Sequence, residues 1–434
     1  MLQIEDTYIR NHILDGLFGL EKEGLRVLGD GTFSHTEHPF GDNDVIVRDF
    51  CENQTEIKTG VHPTAQAAVE ELYRHTLTIQ ETVRDLPVQE YLWPFSNPPY
   101  IRNENDIPVA SFAGMEQFKT VYRDYLSDKY GRYKMTFSGI HVNYSFGEDL
   151  LKHAFTLDGQ YNYQNYKNQF YLGLASKLAV YGWILTAITA ASPLLDSSYV
   201  EKGVFGEDVF MGLASVRCSE LGYWNDFAPV LDYRDMGAYA DSVERYVQEG
   251  MLKAPSELYY PIRLKPAGEN NLDSLRKNGV NHIELRMFDL NPLRDEGVEL
   301  RDLLFAQLLM VWLACQPELE LSPRHQIQAV QNFKNAAHYD LKTVKIALPD
   351  GSICSVAQAA MNMIDEMKCF YREHQIDVQE VLDFEYDKFV DGDHRYAWQI
   401  RQQFQGGYVQ KGMELAKKRV EVSRMQKKWQ RSSY

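Results

Sequence analysis

Acidic side chains recur at short spacing in two segments near the N-terminus. In FGLEKEGLRV (residues 18–27), Glu21 and Glu23 are two positions apart, so a β-strand would project both carboxylates from one face. The segment DFCENQTE (residues 49–56) adds three more acids: Asp49, Glu52 and Glu56. Converging carboxylates repel one another unless cations lie between them, and Mg²⁺ and Mn²⁺ prefer oxygen ligands. The spacing therefore indicates a divalent-metal site, or else a solvated acidic surface.

Two residues further along the chain are candidates to complete such a site. His141 and Glu284 each lie at the centre of the polar face of a predicted strand, and imidazole suits Mn²⁺ in particular. The register sets one condition on the whole set. Asp49 and Glu56 are seven positions apart, which places them on opposite faces of a regular strand. A bulge or a helical turn is therefore needed to align them.

Basic residues in short segments beside these strands form a second group: Arg217, Arg263, Lys265 and Arg286. A ligase or kinase needs cations against phosphate oxygens during transfer, and arginine can bind such oxygens with two parallel hydrogen bonds. On a half-buried strand, an arginine also needs an anionic partner. The group therefore indicates phosphate binding, although ion pairs with the excess acids would also account for each residue alone.

Several familiar motifs are absent from the sequence. It contains no GxxxxGK[ST], GxGxxG, HExxH or GxSxG pattern, so neither a P-loop, a dinucleotide fold, a zincin nor a serine hydrolase is indicated. The five cysteines form no CxxC pair, which excludes a zinc ribbon and suits a reducing compartment. His35 and His38 lie in a loop flanked by Gly and Pro, and we expect a structural or surface role for both.

The elements that must position these residues follow from hydrophobic periodicity. Strand-like alternation occurs at 18–27, 133–146, 261–265 and 280–289, and helical spacing at 64–85, 298–316, 323–337, 356–374 and 409–428. Ile140 and Val142 share one face of their strand, while His141 and Asn143 share the other. Strands with one apolar and one charged face predict an α+β fold, in which helices cover one side of an antiparallel or mixed sheet.

The composition bounds the class of protein. The chain has 434 residues, and 45 Lys and Arg against 61 Asp and Glu give a net charge of −16, which argues against nucleic acid or anionic membranes as partners. No linker divides the chain, so residues 1–434 are predicted to form one domain. The apolar stretch 171–191 contains Lys177, which favours a buried helix over a membrane span. With no secretory signal recognised, we predict a cytoplasmic protein.

Five segments in this order carry a resemblance to a known family: FGLEKEGLRV, VRDFCENQTEI, SGIHVNYSF, SVRCSELGY and HIELRMFDLNP. Together they resemble the glutamate–cysteine ligases, in particular the N-terminal half of bifunctional glutathione-synthesising enzymes. The resemblance runs from about residue 16 to residue 292. It implies a glutamine-synthetase-like fold, with a curved, mainly antiparallel sheet forming a funnel. It also implies ATP-dependent joining of the L-glutamate γ-carboxylate to the L-cysteine amine through γ-glutamyl phosphate, the first step of glutathione biosynthesis.

The resemblance further implies roles for individual residues. The ligands of Mg²⁺ or Mn²⁺ would be Glu21, Glu23, Asp49, Glu56, His141 and Glu284, with Glu52 in the same motif. Arg217 would bind substrate and phosphate, Arg286 would face the transferred phosphoryl group, and Arg263 and Lys265 would contact the ATP phosphates. These assignments make Arg217, Glu284 and Arg286 the catalytic residues. The pocket on the cysteine side would contain Phe50, Tyr122 and Tyr223.

Three points stay open at this stage. Cys51, which follows Phe50, departs from the small residue expected there, so another amine is an alternative acceptor. A non-catalytic homologue that binds glutamate or nucleotide is a second alternative. Residues 320–434 match no family motif and are predicted to be a helical covering segment, with no second ATP-dependent domain for glycine addition. We expect small-molecule substrates as partners, and a monomer or a small homo-oligomer.

Overall fold

A computed structural model describes residues 1–432, with side-chain burial described as far as residue 422. Its strands are β1 (Gly16–Leu28), β2 (Ile46–Arg48), β3 (Gln54–Lys58), β4 (Glu90–Leu92), β5 (Gly139–Phe146), β6 (Leu194–Asp196), β7 (Asp208–Phe210), β8 (Ile262–Pro266), β9 (Val280–Asp289), β10 (Lys345–Ala347) and β11 (Ile353–Ser355). The main sheet has the order β2-β3-β1-β5-β9-β8, with β4 paired to the far end of β1. Its paired strands are antiparallel. The predicted α+β class is confirmed.

The helices account for most of the remaining chain. They are α1 (Thr7–His12), α2 (Ala65–Arg84), α3 (Gln117–Tyr130), α4 (Glu148–Asp158), α5 (Tyr163–Tyr181), α6 (Trp183–Thr189), α7 (Ser197–Val200), α8 (Met236–Gln248), α9 (Leu272–Asn278), α10 (Leu300–Cys315), α11 (Pro323–Ala336), α12 (Val356–Glu373), α13 (Gln379–Val390), α14 (Tyr396–Phe404) and α15 (Tyr408–Ser432). The five helices predicted from periodicity are present. Their ends differ by one or two residues, except that the last continues to residue 432.

The two faces of the central strands have opposite chemistry, as the alternation predicts. Ile140 and Val142 on β5 are fully buried, as are Ile283 and Leu285 on β9, and all four belong to the main hydrophobic core. This face packs against α5 and α6, while α2 covers β1. Burying aliphatic side chains in this way contributes roughly 1.5–3 kcal/mol for each. The opposite face of the same strands is free to carry charged groups.

One strand is shorter than the sequence suggests. The strand predicted over 133–146 begins only at Gly139, and residues Lys134–Thr136 form a short 3₁₀ helix instead. The reason is that the neighbouring strand ends at Asp289, which pairs with Gly139. Beyond that pair the backbone finds other partners, since Ser138 N–H donates to the carbonyl of Ser96 at 2.9 Å. The alternation of side chains alone does not reveal where a partner strand stops.

The apolar stretch with Lys177 forms two buried helices. α5 and α6 meet at an angle of 57°, and no single helix among the described residues is long and apolar enough to cross a membrane; only this bent pair passes such a test when the two are combined. The Lys177 ammonium is buried and donates to the carbonyls of Leu313 (2.9 Å) and Gln316 (2.6 Å) at the end of α10. The Leu313 carbonyl also accepts the Gln316 N–H at 3.1 Å, so the ammonium adds a second donor to this carbonyl and supplies a donor to that of Gln316 at the end of the helix.

Replacing Lys177 by Met should destabilise the fold. The variant keeps the apolar stem but removes the ammonium as a donor to both carbonyls, which costs about 2 kcal/mol. Urea denaturation of the wild type and of Lys177→Met measures the difference. Lys152→Met is the matched control, since the Lys152 side chain is 58% exposed and its pair with Glu148 is 3.9 Å long. Its expected effect is within about 0.5 kcal/mol, and equal losses in both variants would contradict the interpretation.

Candidate active site

A reversal of the chain brings Asp49 and Glu56 to the same cavity. β2 and β3 are antiparallel, and Asp49 N–H donates to the carbonyl of Gln54 at 3.1 Å, so the chain turns back between these residues. Glu56 then lies opposite Glu23 on β1. The expectation that a bulge or a helical turn aligns the two acids was wrong. They belong to neighbouring arms of a turn, and their separation along the chain does not set the faces on which they lie.

Three predicted ligands meet across three adjacent strands. Each of Glu21, Glu56 and His141 offers a nitrogen or oxygen atom, and these atoms all lie within 4.8 Å of one another. Glu21 and His141 are paired in register on β1 and β5, with Nδ1 3.0 Å from Oε2 of Glu21. The other ring nitrogen, Nε2, is buried without a hydrogen-bond partner among the described residues and lies 3.7 Å from Oε1 of Glu23. This ring nitrogen therefore lies beside the acidic cluster without a hydrogen-bond partner among the described residues.

The carboxyl groups in this cluster differ in their pKa values. Burial, followed by repulsion from Asp49, raises the pKa of Glu23 to about 8 and the pKa of Glu56 to about 7. Burial also opposes ionisation of Glu21, but the hydrogen bond with His141 and the attraction of His141 and Lys265 together outweigh it and lower the pKa of Glu21 to about 2. Burial and the nearby Arg286 lower the pKa of His141 to about 4, which keeps its imidazole neutral. A neutral imidazole among crowded oxygens is a donor set that fits a hard divalent cation.

These groups line a cavity of about 490 Å³ on the polar face of the sheet. From the predicted set, it is lined by Glu21, Glu23, Asp49, Phe50, Glu56, Tyr122, His141, Arg217, Tyr223, Arg263, Lys265 and Arg286. A larger groove of about 1040 Å³ lies elsewhere, against α5, α8 and the start of α11, and its described lining contains none of these residues. The chemistry is therefore concentrated in the smaller cavity.

Glu284 lies behind this lining and is fully buried. Its carboxylate is gripped from two sides, by Arg286 Nη1 at 2.7 Å and by Lys265 Nζ at 2.6 Å. Burial alone would raise the pKa of Glu284, but these two cations hold it well below its usual range. In this structure Glu284 therefore orients the two cations, which themselves face the cavity. It is not one of the three residues whose ligand atoms lie within 4.8 Å of one another, although its charge acts on both Glu21 and His141.

Arg217 reaches the cavity across a glycine. Its guanidinium donates to the carbonyls of Arg286 (2.9 Å) and Phe288 (3.3 Å) and lies directly over Gly139. A Cβ at Gly139 would be 2.2 Å from the guanidinium carbon, so any other residue there would displace the guanidinium. Gly222 is equally constrained, because its Cβ would be 1.8 Å from the carbonyl oxygen of Arg217. The motif SVRCSELGY is thus a tight turn that presents one arginine.

The remaining predicted residues form an aromatic wall of the cavity with a cation beside it. Phe50 and Tyr223 lie in this wall together with Tyr259, whose ring centre is 4.3 Å from that of Tyr223. Tyr122 accepts a hydrogen bond from Ser256 Oγ at 3.3 Å. Arg263 donates to the carbonyls of the same Ser256 and of Leu258. Burial and the neighbouring Arg286 lower the pKa of Arg263 to about 10. Aromatic and cationic side chains therefore adjoin at Ser256 in the cavity.

Sequence reasoning missed several lining residues: Lys58, Arg123, Leu126, Tyr259 and His282. Lys58 could have been predicted, since it lies two positions after Glu56 and therefore shares the same face of β3. Arg123, on α3, donates to the carbonyl of Asp49 at 2.5 and 3.0 Å, so it fixes the loop that carries that acid. Tyr259 has no local signal, because only the folding of a distant loop places it beside Tyr223.

Four other residues noted in the sequence lie away from the cavity. Glu52 forms an ion pair with Arg48 at 3.0 Å and accepts a hydrogen bond from His38 N–H at 2.9 Å, so it holds a loop. Cys51 is fully buried in a second core, and burial raises the pKa of its thiol far above the ordinary value. His35 pairs with Asp106 at 3.1 Å on the surface. These contacts are structural, as expected for His35 and His38.

Comparisons with known proteins identify the family of the chain. A model of the glutamate–cysteine ligase family matches residues 1–249 and 227–336. The bifunctional glutathione biosynthesis protein of Listeria monocytogenes is 32% identical over 440 residues, which cover 96% of this chain and 56% of the relative. That of Pasteurella multocida is 36% identical over 320 residues, covering 70% of this chain and 41% of the relative. The chain thus spans about half the length of the curated relatives it matches.

Solved structures show the same fold. A glutamate–cysteine ligase from Francisella tularensis, in complex with AMP, aligns with a TM-score of 0.83 at 23% identity, covering 94% of this chain and 89% of the other. A bifunctional glutathione synthetase from Pasteurella multocida also gives a TM-score of 0.83, at 26% identity, over 97% of this chain and 54% of that one. The match to the family model and the identity to these relatives place the chain in the glutamate–cysteine ligase family.

Proposed function

We propose that this protein is an ATP-dependent ligase that joins the γ-carboxylate of L-glutamate to the amine of L-cysteine, the first step of glutathione biosynthesis. One observation carries the proposal: carboxylates, His141 and a set of cations line a single cavity of about 490 Å³. Family membership adds support, since the relatives are glutathione biosynthesis proteins. Acids that bind a metal and cations that bind phosphate are the two parts that phosphoryl transfer needs.

The acidic side of the cavity would hold Mg²⁺ or Mn²⁺. The ligands facing the cavity would be Glu21, Glu23, Asp49, Glu56 and His141. Glu284, the sixth ligand that the resemblance implies, is paired with Lys265 and Arg286 in this structure. The unpartnered Nε2 of His141 and the raised pKa of Glu23 are the features that fit such an ion. When bound, such an ion would supply positive charge that offsets the charge of the ATP phosphates.

The cationic side would orient the transferred phosphoryl group. Arg286, fixed by Glu284, would face the γ-phosphate, with Arg217, Arg263 and Lys265 on its other oxygens. An oxygen of the glutamate γ-carboxylate would attack the γ-phosphorus and release ADP, which gives an acyl phosphate. The amine would then attack the acyl carbon and expel inorganic phosphate, while Arg286 offsets the charge of the tetrahedral intermediate.

The aromatic wall would receive the amine substrate. Phe50, Tyr122 and Tyr223 present apolar surface of a size suited to a small side chain such as that of cysteine. Cys51 does not line this wall, so its thiol does not restrict the acceptor. An adjoining cavity of about 260 Å³ shares Glu21, Lys58 and His282 with the first and would accommodate the nucleoside end of ATP.

The organisation of the whole chain is also a proposal. Residues 1–434 would act as one catalytic domain, in which α11–α15 support the helical layer behind the sheet. α11 packs on α5 and α6, and α15 packs on β4 and α2. The described part of α11–α15 contributes no residue to the cavity lining. We further propose that the protein acts on small molecules in a reducing cytoplasm, as a monomer or a small homo-oligomer, since its five cysteines are free thiols.

The direct test measures ADP release with Mg²⁺, ATP and L-glutamate, with and without L-cysteine, followed by mass analysis of the product. We expect turnover that depends on cysteine and a γ-linked dipeptide. The variant Glu284→Gln should lose activity by roughly 100-fold or more, because Arg286 loses its anchor. Turnover with a different amine would keep the chemistry and change the acceptor. No turnover with any amine would contradict the proposal and favour a homologue that only binds glutamate or nucleotide.

Mg²⁺ should bind more tightly as the pH rises from 6 to 8. In the metal-free protein the pKa of Glu23 is about 8 and that of Glu56 is about 7, so the ion must displace their protons. The Kd should fall about tenfold per pH unit for each proton displaced. The stability of the metal-free protein should change in the opposite direction. Between pH 4.5 and 8 the folded state holds the protons of Glu23 and Glu56 that the unfolded state has lost, so its stability should fall as the pH rises through this range.

Calorimetric titration of Mg²⁺ at pH 6, 7 and 8 measures the expected rise in affinity with pH. Thermal unfolding of the metal-free protein measures the expected fall in stability. Glu23→Gln is the matched control, because it removes one titrating group at nearly constant volume. This variant should bind Mg²⁺ with a shallower dependence on pH and should lose less stability as the pH rises. Identical pH dependence in the wild type and the variant would contradict the assignment of Glu23.

Adding one methyl group at Gly139 should impair catalysis without unfolding the protein. The Cβ would lie 2.2 Å from the Arg217 guanidinium and displace it from the cavity, so kcat/KM should fall roughly 100-fold. Gly173→Ala on α5 is the control, since nothing lies within 4 Å of the added atom. Circular dichroism and steady-state kinetics on both variants decide the outcome. Full activity of Gly139→Ala would show that the position of Arg217 is unimportant.

A further inference from the structure

A buried carboxylate at the end of β9 ties two distant loops together. Asp289 is 3% exposed and does not line the cavity. Its Oδ2 accepts hydrogen bonds from Ala191 N–H (2.9 Å) and Ser192 Oγ (2.7 Å), and its Oδ1 accepts one from Ser215 Oγ (3.0 Å). A buried charge is costly unless its acceptor sites are filled, and here three donors from two loops fill them.

These donors lie on both sides of Arg217 in the structure. Ser215 Oγ, which donates to Asp289, also accepts from Cys218 N–H at 3.0 Å. Ser192 holds the same loop through its backbone: its N–H donates to the carbonyl of Ala214 at 3.0 Å, and its carbonyl accepts from Val216 N–H at 3.1 Å. Both the backbone before Arg217 and the backbone after it are therefore tied, directly or through Ser192, to one carboxylate.

The Arg217 guanidinium has little room to move from its position in the structure. The Arg217 guanidinium is confined between Gly139 and the carbonyls of β9, and Asp289 is the residue paired with Gly139 in the sheet. Asp289 thus joins the strand pair beneath the guanidinium to the loop from which it projects. Displacing a binding group by about 1 Å costs on the order of 100-fold in rate. A shift of this loop would be enough to produce such a displacement.

We propose that Asp289 is a positioning residue that acts through Arg217, by holding the turn 214–218 against the end of β9. Its carboxylate does not touch the cavity; its role is to fix where the guanidinium lies. The expected loss of kcat/KM rests on the proposed function, whereas the expected displacement of the Arg217 guanidinium does not. Two experiments therefore separate failure of this inference from failure of the proposed ligase activity.

The first experiment is a double-mutant cycle on kcat and KM. Asp289→Asn keeps the volume but presents an NH₂ group to a donor, so the loop should shift and kcat/KM for L-glutamate should fall roughly 100-fold. If Asp289 acts through Arg217, adding Asp289→Asn to Arg217→Lys should cost less than about twofold more. Losses that multiply in the double variant would overturn the proposal, because they would show an effect of Asp289 independent of Arg217.

The second experiment needs no activity. Phenylglyoxal adds to the two terminal nitrogens of a free guanidinium, and both are hydrogen-bonded in Arg217. Peptide mass spectrometry should show slow labelling of Arg217 in the wild type and labelling roughly tenfold faster in Asp289→Asn, the change expected when about 1.4 kcal/mol of protection is lost. Arg234, whose side chain is 82% exposed, is the internal reference and should label equally in both.

The outcomes are distinguishable. A wild type without turnover defeats the proposed function and leaves the labelling to decide on Asp289. A wild type that turns over, with unchanged labelling of Arg217 in Asp289→Asn, overturns the inference alone. If Asp289→Asn does not fold, Ser215→Ala replaces it, since this variant removes the link to Cys218 N–H and leaves the other two donors to Asp289 in place. Its labelling of Arg217 should rise in the same direction, and an unchanged rate would overturn the inference.

Discussion

The repulsion between four carboxylates that face one cavity is the constraint around which the site is arranged. Glu21, Glu23, Asp49 and Glu56 lie on three neighbouring segments, and burial with mutual repulsion raises the pKa of Glu23 and Glu56 towards neutrality. Such a cluster is stable only if protons or cations compensate it. The protein supplies Lys58 and a neutral imidazole beside the cluster, and it leaves a nitrogen of His141 unpartnered. A site of this kind, rich in oxygen atoms and partly protonated, fits the divalent ion that we propose.

The cations of the same cavity are held in place by other contacts. Glu284 is fully buried and fixes both Arg286 and Lys265, so that each presents its remaining charge to the cavity. Arg217 is fixed by backbone carbonyls and by the space that Gly139 leaves free. Charged groups that are fixed before substrate arrives need little reorganisation during reaction. The rigidity of this half of the site thus comes from the ends of β5 and β9, where strand, turn and loop meet.

The same strands also carry the core. Because side chains alternate along a strand, each residue that projects into the cavity is flanked by residues packed against α2, α5 and α6. The helical layer behind the sheet therefore determines the positions of the polar residues in front of it. The buried Lys177 on α5 shows how closely this layer is joined, since its ammonium closes the end of α10. Catalytic geometry and stability are in this way properties of one packing arrangement.

Features that repeat within a single element could be predicted from the sequence. The two-residue spacing of Glu21 and Glu23, the polar face of His141 and Glu284, and the helical periodicities follow from local backbone geometry, and the structure contains each of them. The way in which separate elements meet became visible only in the folded protein. Folding places Asp49 beside Glu56 through a chain reversal, sets Glu284 against two cations, starts β5 only at Gly139, and brings Tyr259 and Asp289 to their partners. Periodicity records which face of an element a residue occupies, whereas contacts between residues far apart in the chain depend on turns and packing that have no period.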